Sequence, residues 1–413
     1  MTESRFHLPK LIHATIVALA LLTLACTTGR NPLPPTYEEI IAHSESQLAL
    51  LLHESDSLIG NMDSLNAKGL VLVSPRTVND KGDLVFIPSR DWCSGFFPGN
   101  LWIMHRLTGE DKWKEAAIRY TLPLEPEKLN GGTHDMGFKM MCSFGEGWKV
   151  TGDSLYREIL LQSAKTLITR YSPVIGAIRS WDHNSDKWQY PVIIDNMMNL
   201  ELLYWASKQT GDTLYASIAN RHAFTTIANH FRSDYSSFHV IDFDTLSGAP
   251  LQKHTHQGLS HESAWARGQA WGLYGFTMAY RETGIEAFLV QAEKIAEFIM
   301  NHPRLPADLV PLWDYDAQGE NEPRDVSAAA ITTSALYELD TFLPDSAGKY
   351  KARADKMMAN IAMNYLSDPG TLHGFILNHA TGHKPAKSEV DVPLNYADFY
   401  FLEALERQKK GKI

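Results

Sequence analysis

The chain has 413 residues, 44% hydrophobic and 21% charged, which is ample apolar material for a large core and unlike a disordered composition. Its formal net charge of −10 argues against nucleic acid as a partner, although a local cationic cluster can still hold a small anion inside an acidic protein. Three cysteines in this length exclude a disulfide scaffold.

Arg5 and Lys10 precede Leu11–Leu24, an almost uninterrupted apolar run. That is an export signal, too short to span a bilayer comfortably. Cys26, just after Leu24-Ala25, resembles the lipobox cysteine of bacterial lipoproteins, with Thr23 departing from the usual Leu. The expectation is a signal peptide over 1–25 and an acylated Cys26. A Pro-rich tether over 26–36 would then carry an exported protein, held in the bacterial cell envelope and facing the periplasm. Simple cleavage is the alternative. No Gly/Ser-rich or charge-block linker interrupts residues 37–413, so they read as one catalytic domain.

A weak repeat then runs along the chain. Thr108-Gly-Glu, Thr151-Gly-Asp, Thr210-Gly-Asp and Thr283-Gly-Ile each precede an aromatic residue five places after the Thr, and Pro344–Tyr350 is a looser copy. Gly closes one helix and the next residue opens another, so each copy joins two helices into a hairpin. The downstream helices, over Trp113–Tyr120, Tyr156–Tyr171, Tyr215–Phe231, Phe288–Asn301 and Tyr350–Tyr365, are amphipathic, as is Tyr37–Ile59. The upstream ones start near Asp91, Asp135, Asp195, Glu262, Asp325 and Asp391 and are apolar or small-residue-rich nearly all round. Such helices are buried on all sides. Six buried and six amphipathic helices predict an all-α fold, an (α/α)6 barrel; an open helical solenoid is the alternative.

In a closed ring the six carboxylates converge at one mouth. N-capping is the ordinary explanation for each. Asp195 stands out because the apolar approach Pro191-Val-Ile-Ile leads into it. Burial raises a carboxyl pKa and makes it a usable proton donor near neutrality. Asp135, in Gly131-Gly-Thr-His134-Asp135, is the candidate second carboxylate, whose charge would help keep its neighbour protonated.

Between the third and fourth buried helices lies His254-Thr-His256-Gln257 followed by His261, Trp265, Arg267 and Trp271. The three histidines lack a His-Glu-x-x-His pattern, so neither metal nor cofactor is expected. A polar, anionic, ring-shaped ligand fits better. Arg267 offers a planar fork for a carboxylate, His256 and Gln257 offer hydroxyl partners, and the tryptophans offer apolar faces, with core packing as their alternative role.

Asp91-Trp92-Cys93-Ser-Gly-Phe-Phe97-Pro-Gly99, His134-Asp-Met-Gly-Phe138, Asp195-Asn-Met-Met-Asn199, His256-Gln257 and Trp265-Ala-Arg267-Gly-Gln-Ala-Trp271 occur in this order. With these motifs the chain resembles the unsaturated glucuronyl hydrolases of glycoside hydrolase family 88, over nearly all of its mature length. The resemblance implies the same barrel. It also implies metal-independent removal of the 4,5-unsaturated uronic acid that polysaccharide lyases leave at a non-reducing end. It makes Asp195 the acid/base and Asp135 its partner. Trp92, His134, Trp181, His239, Gln257, Trp265, Arg267 and Trp271 fall at substrate-site positions. Cys93 and Phe97 stand where Thr and often Trp are expected. An unsaturated oligosaccharide is the expected partner, from glycosaminoglycan rather than pectin. The lean towards glycosaminoglycan comes from Lys384 and Lys387, in a histidine-rich loop expected at the rim, where they would favour a sulfate. The alternatives are a rhamnogalacturonyl hydrolase, a sugar epimerase on the same barrel, and a non-catalytic, lipid-anchored glycan receptor.

Overall fold

The Thr-Gly turns explain why the chain doubles back where it does. Thr108, Thr151, Thr210 and Thr283 each donate their hydroxyl to the carbonyl four residues earlier, at 2.7–2.8 Å. The same oxygen accepts the backbone N–H two residues later, at 3.1–3.3 Å. The intervening glycines have φ of 64–77°, a left-handed conformation that a Cβ penalises. Asp153 and Asp212 then cap the following helices through Leu155 N and Leu214 N.

The computed structural model describes residue 1, residues 34–60 and residues 71–410. Most of the signal and tether segments, Cys26 included, lie outside the described residues.

Six inner helical segments comprise Phe96–Thr108, the π-helix Gly137–Gly145 continued by Glu146–Thr151, Leu200–Thr210, Ala266–Thr283, Val326–Phe342 and Asn395–Lys410. Each packs against the next and the last returns to the first, closing the ring. This is an (α/α)6 barrel and not an open solenoid. Tyr37–Gly60, Asp111–Thr121, Ser154–Ile168, Thr213–His230, Glu286–Asn301 and Lys349–Asn364 form the outer ring.

Inner helices sit close because small residues allow it. A Cβ on Gly275 would lie 2.4 Å from Met197 Cβ, and one on Gly137 2.6 Å from Asn199 Cα. At the C-terminal ends of the inner helices an ion network holds the barrel together. Arg106 pairs with Glu146 at 2.7 Å and Glu406 at 2.9 Å, and Glu338 with Arg281 at 2.8 Å and Arg407 at 3.1 Å. Cys93 and Cys142 are buried and free.

Several expected helix starts are displaced. Helices begin at Ala266 and Asn395 rather than at Glu262 and Asp391. Glu262 is exposed, and Asp391 lies in a strand, bonded to His379 at 2.7 Å. Of the six carboxylates only Asp325 caps its inner helix, accepting from Ser327 N at 3.1 Å. Small antiparallel sheets fill the inter-helix loops, and two of them build the mouth of the barrel. Pro191–Ile193, Val240–Phe243 and Pro250–His254 form one; Ala380–His383 pairs with Ser388–Val392 in the other.

Candidate active site

The three-stranded sheet brings the central carboxylate to its neighbours. Ile193 pairs with Val240, and Ile194 N donates to His239 O at 3.1 Å, so Asp195 and His239 leave adjacent strand ends together. Asp195 lies inside a 3₁₀ turn, Ile194–Asn199, and its Oδ2 has no hydrogen-bond partner. Its carboxyl is therefore spared for the cavity.

That cavity has a volume of about 660 Å³. Its wall includes Trp92, His134, Asp135, Trp181, Asp195, His256, Gln257 and Arg267, which converge from segments far apart in the chain. Asp195 is only 8% exposed. Burial, with a smaller push from the Asp135 charge, raises its pKa to about 7, while the Arg267 charge opposes the rise. Asp135 is held by Thr133 Oγ1, which donates to Oδ2 at 2.7 Å, and by His134 Nε2 at 3.1 Å from Oδ1.

Arg267 is fixed before any ligand arrives. Nη1 donates to Asp325 Oδ2 at 3.0 Å and to Thr381 O at 2.5 Å, and Nη2 to Gly382 O at 2.6 Å. Three of the N–H groups of the expected fork are thus engaged, and Nε is left without a partner. The same carbonyls anchor the Ala380–His383 hairpin, which His383 Nε2 also ties to His256 O at 2.9 Å.

Trp265, Trp271 and His239 stand behind the cavity wall. Trp265 packs against His239 at a 34° tilt, 4.6 Å between ring centres, and lies under the Arg267 guanidinium at 4.5 Å. The Trp271 indole N–H acts on Asp195 and lowers its pKa slightly, yet no full hydrogen bond forms. Lys384, expected at the rim, lies outside the cavity wall. Its ammonium is bonded to Glu322 and lies over the Trp313 ring, and the wall passes from His383 to Ser388 without it. His254 and His261 stack on each other at 4.1 Å instead of facing the cavity. Among the described residues no group of three or more His, Cys, Asp or Glu is arranged to hold a metal ion.

No family model matches the chain. An unsaturated glucuronyl hydrolase of Formosa agariphila is 50% identical over 339 residues, 81% of this chain and 84% of that one. The chain belongs to the unsaturated glucuronyl hydrolase family, and it is a glycosidase. Among solved structures, an unsaturated glucuronyl hydrolase specific for heparin superposes with a TM-score of 0.83 at 46% identity, over 90% of this chain and 97% of that one. A variant of the Streptococcus agalactiae unsaturated glucuronyl hydrolase complexed with dGlcA-GalNAc6S gives 0.74 at 28% identity, over 91% and 93%.

For a member of this family the wall holds further residues that sequence reasoning missed. Arg76 bridges Asp91 at 2.8 Å and Glu389 at 2.5 Å, joining segments more than 300 residues apart. Arg90 lines the cavity, is exposed, and among the described residues has no hydrogen bond or ion pair. His183 stacks on Trp181 at 5.0 Å and Tyr396 also lines the wall, while His383 comes from the histidine-rich loop expected at the rim. Arg90 sits directly before the Asp91-Trp92 motif, the one sequence signal that could have drawn attention to it.

Proposed function

We propose that the chain removes the 4,5-unsaturated uronic acid from the non-reducing end of sulfated glycosaminoglycan fragments, with Asp195 as its acid/base. The observation that carries this reading is a buried carboxyl, protonated up to about neutrality, on the wall of a cavity shared with Arg267 and Asp135.

An unsaturated uronide is a vinyl ether, so no nucleophile has to attack the anomeric carbon. Asp195 gives its proton to C4, and positive charge develops at C5 and the ring oxygen. The new carboxylate then takes a proton from the water that attacks C5. The hemiketal opens the ring and the remaining sugar leaves. A positioned acid/base of this kind contributes roughly 10²–10⁴ in rate. The usual pair of glycosidase carboxylates at fixed separation is not needed. Asp135, already held by Thr133 and His134, supplies the charge that helps keep Asp195 protonated at rest. The Arg267 charge offers an anchor for the substrate carboxylate and a counter-charge for Asp195 once ionised.

Two observations support a sulfated leaving unit: the unpaired Arg90 at the cavity wall and the likeness to a heparin-specific relative. Incubation of the enzyme with unsaturated disaccharides from heparin, chondroitin, hyaluronan and pectin tests both parts. Loss of the conjugated ultraviolet absorbance marks the reaction, and the relative rates mark the substrate. An epimerase or a glycan receptor would leave that absorbance intact.

The export signal, Cys26 and the tether support a lipid-anchored enzyme in the cell envelope, facing the periplasm. Metabolic labelling with a fatty acid, lost in Cys26→Ala, tests that placement.

A further inference from the structure

His239 sits beside Asp195 with both ring nitrogens accounted for by geometry. Nδ1 accepts two backbone N–H groups, from His256 and Gln257, each at 3.1 Å. A nitrogen that accepts cannot carry the ring proton, so the proton is on Nε2. Nε2 has no hydrogen-bond partner and lies 3.6 Å from Asp195 Oδ2, which also has none. The ring is fully buried and packed against Trp265.

We propose that His239 is a neutral positioning residue whose locked Nε2–H selects which oxygen of Asp195 carries the reactive proton and steadies the carboxylate once that proton has gone. The inference rests on Asp195 being the acid/base. With an N–H aimed at Oδ2, the acidic hydrogen belongs on Oδ1. The proton leaves Oδ1 for C4, and the Oδ2···H–Nε2 contact shortens as negative charge spreads over both oxygens. The proton taken from the attacking water returns to Oδ1, and the contact relaxes. His239 exchanges no proton at any stage.

The lock is backbone-made. Protonating Nδ1 would break both amide hydrogen bonds and bury a cation near the Arg267 guanidinium. The charged and titratable groups acting on the ring are His256, His383, His230 and Arg267, all opposing its protonation, with Asp195 on the Nε2 side. Asp195 in turn feels Arg267 and Asp135. Burial, ahead of those charges, holds the His239 pKa well below its ordinary value. The polar His256-Gln257 stretch thus serves catalysis through its main chain, whatever its side chains do for the sugar.

The test compares His239→Leu with His239→Gln, whose amide can keep a donor near Oδ2. The basic limb of kcat/KM reports protonated Asp195. Losing one charge-assisted donor should move that limb up by about one to two pH units in His239→Leu. In the same variant kcat should fall roughly 10–100-fold. His239→Gln should recover most of the limb position. An unmoved limb with a raised KM would make His239 a substrate-binding group and overturn the proposal. A second measurement needs no variant: ¹⁵N NMR of the wild-type imidazole between about pH 5 and 9. The Nε2–H tautomer throughout is expected; an imidazolium or the Nδ1–H tautomer would overturn the lock. Neither readout depends on which disaccharide is turned over, so a wrong substrate class would show only in the absorbance assay.

Discussion

Asp195→Asn separates what the carboxyl does for chemistry from what it costs the fold. Asn keeps the shape and removes the acidic proton, so turnover should drop at least ~10²-fold. Stability should move the other way. The folded-state pKa of Asp195 is raised from 3.8 to about 7, chiefly by burial. A raised pKa means that the native state binds the proton more tightly than the unfolded chain does. This contribution is fully present below the unfolded pKa and is lost as pH rises through about 7. Each pKa unit corresponds to ~1.4 kcal/mol. Unfolding the wild-type enzyme releases this proton at pH 5, where the unfolded carboxyl is already ionised. Relative to wild type, the amide should therefore gain ~2 kcal/mol at pH 5. At pH 9 the whole shift of roughly three units counts, and the gain should reach ~4 kcal/mol. Urea unfolding of both proteins at the two pH values gives the comparison. A variant that gains no more at pH 9 than at pH 5 would show that the ionised carboxylate is not penalised in the fold, and the desolvation argument would fail.

The remaining expectations concern the groups around that carboxyl. Asp135→Asn removes a charge that raises the Asp195 pKa, so the basic limb of kcat/KM should move to lower pH; an unmoved limb would leave Asp135 a binding group. Arg90→Ala should lower kcat/KM for a sulfated disaccharide about tenfold while sparing its unsulfated analogue, in keeping with one charge-assisted contact. Equal losses on both substrates would remove Arg90 from sulfate recognition. Asp325→Ala deprives the buried Arg267 of its partner at 3.0 Å and the Val326–Phe342 helix of its cap. It should destabilise the protein by about 3–5 kcal/mol in a denaturation assay, and a loss under about 1 kcal/mol would contradict the ion-pair reading.

The barrel was legible in the sequence because its punctuation is local. A Thr hydroxyl closing one helix and a left-handed Gly turning the chain are decided within five residues, as Thr210-Gly211-Asp212 shows. The inner helix starts were less legible, since Glu262 and Asp391 sit before loops whose path is set by hairpin pairing and not by helix signals. Asp195 could be singled out because an apolar run leads into it. Its relation to His239 could not, because that depends on the register of Ile193 against Val240. The pairing of Lys384 was hidden for a related reason. A cation in a loop reads as free until its partner is known, and Glu322 lies 62 residues away. Arg90 was passed over because nothing in sequence distinguishes an unpaired arginine from Arg76, which is held by two carboxylates.

The most direct test of the mechanism is a single turnover of an unsaturated glycosaminoglycan disaccharide in D₂O, read by NMR at C4 of the released uronic acid. Protonation by a fixed Asp195 delivers one deuterium to one face of C4 as the conjugated absorbance disappears, and Asp195→Asn delivers none in the same time. A released sugar that still carries its double bond would mean ordinary cleavage at the anomeric carbon. Deuterium on both faces within that first turnover, ahead of exchange at the α-carbon of the C5 ketone, would mean a proton not delivered by one fixed group. Either result would contradict hydration of the vinyl ether by Asp195.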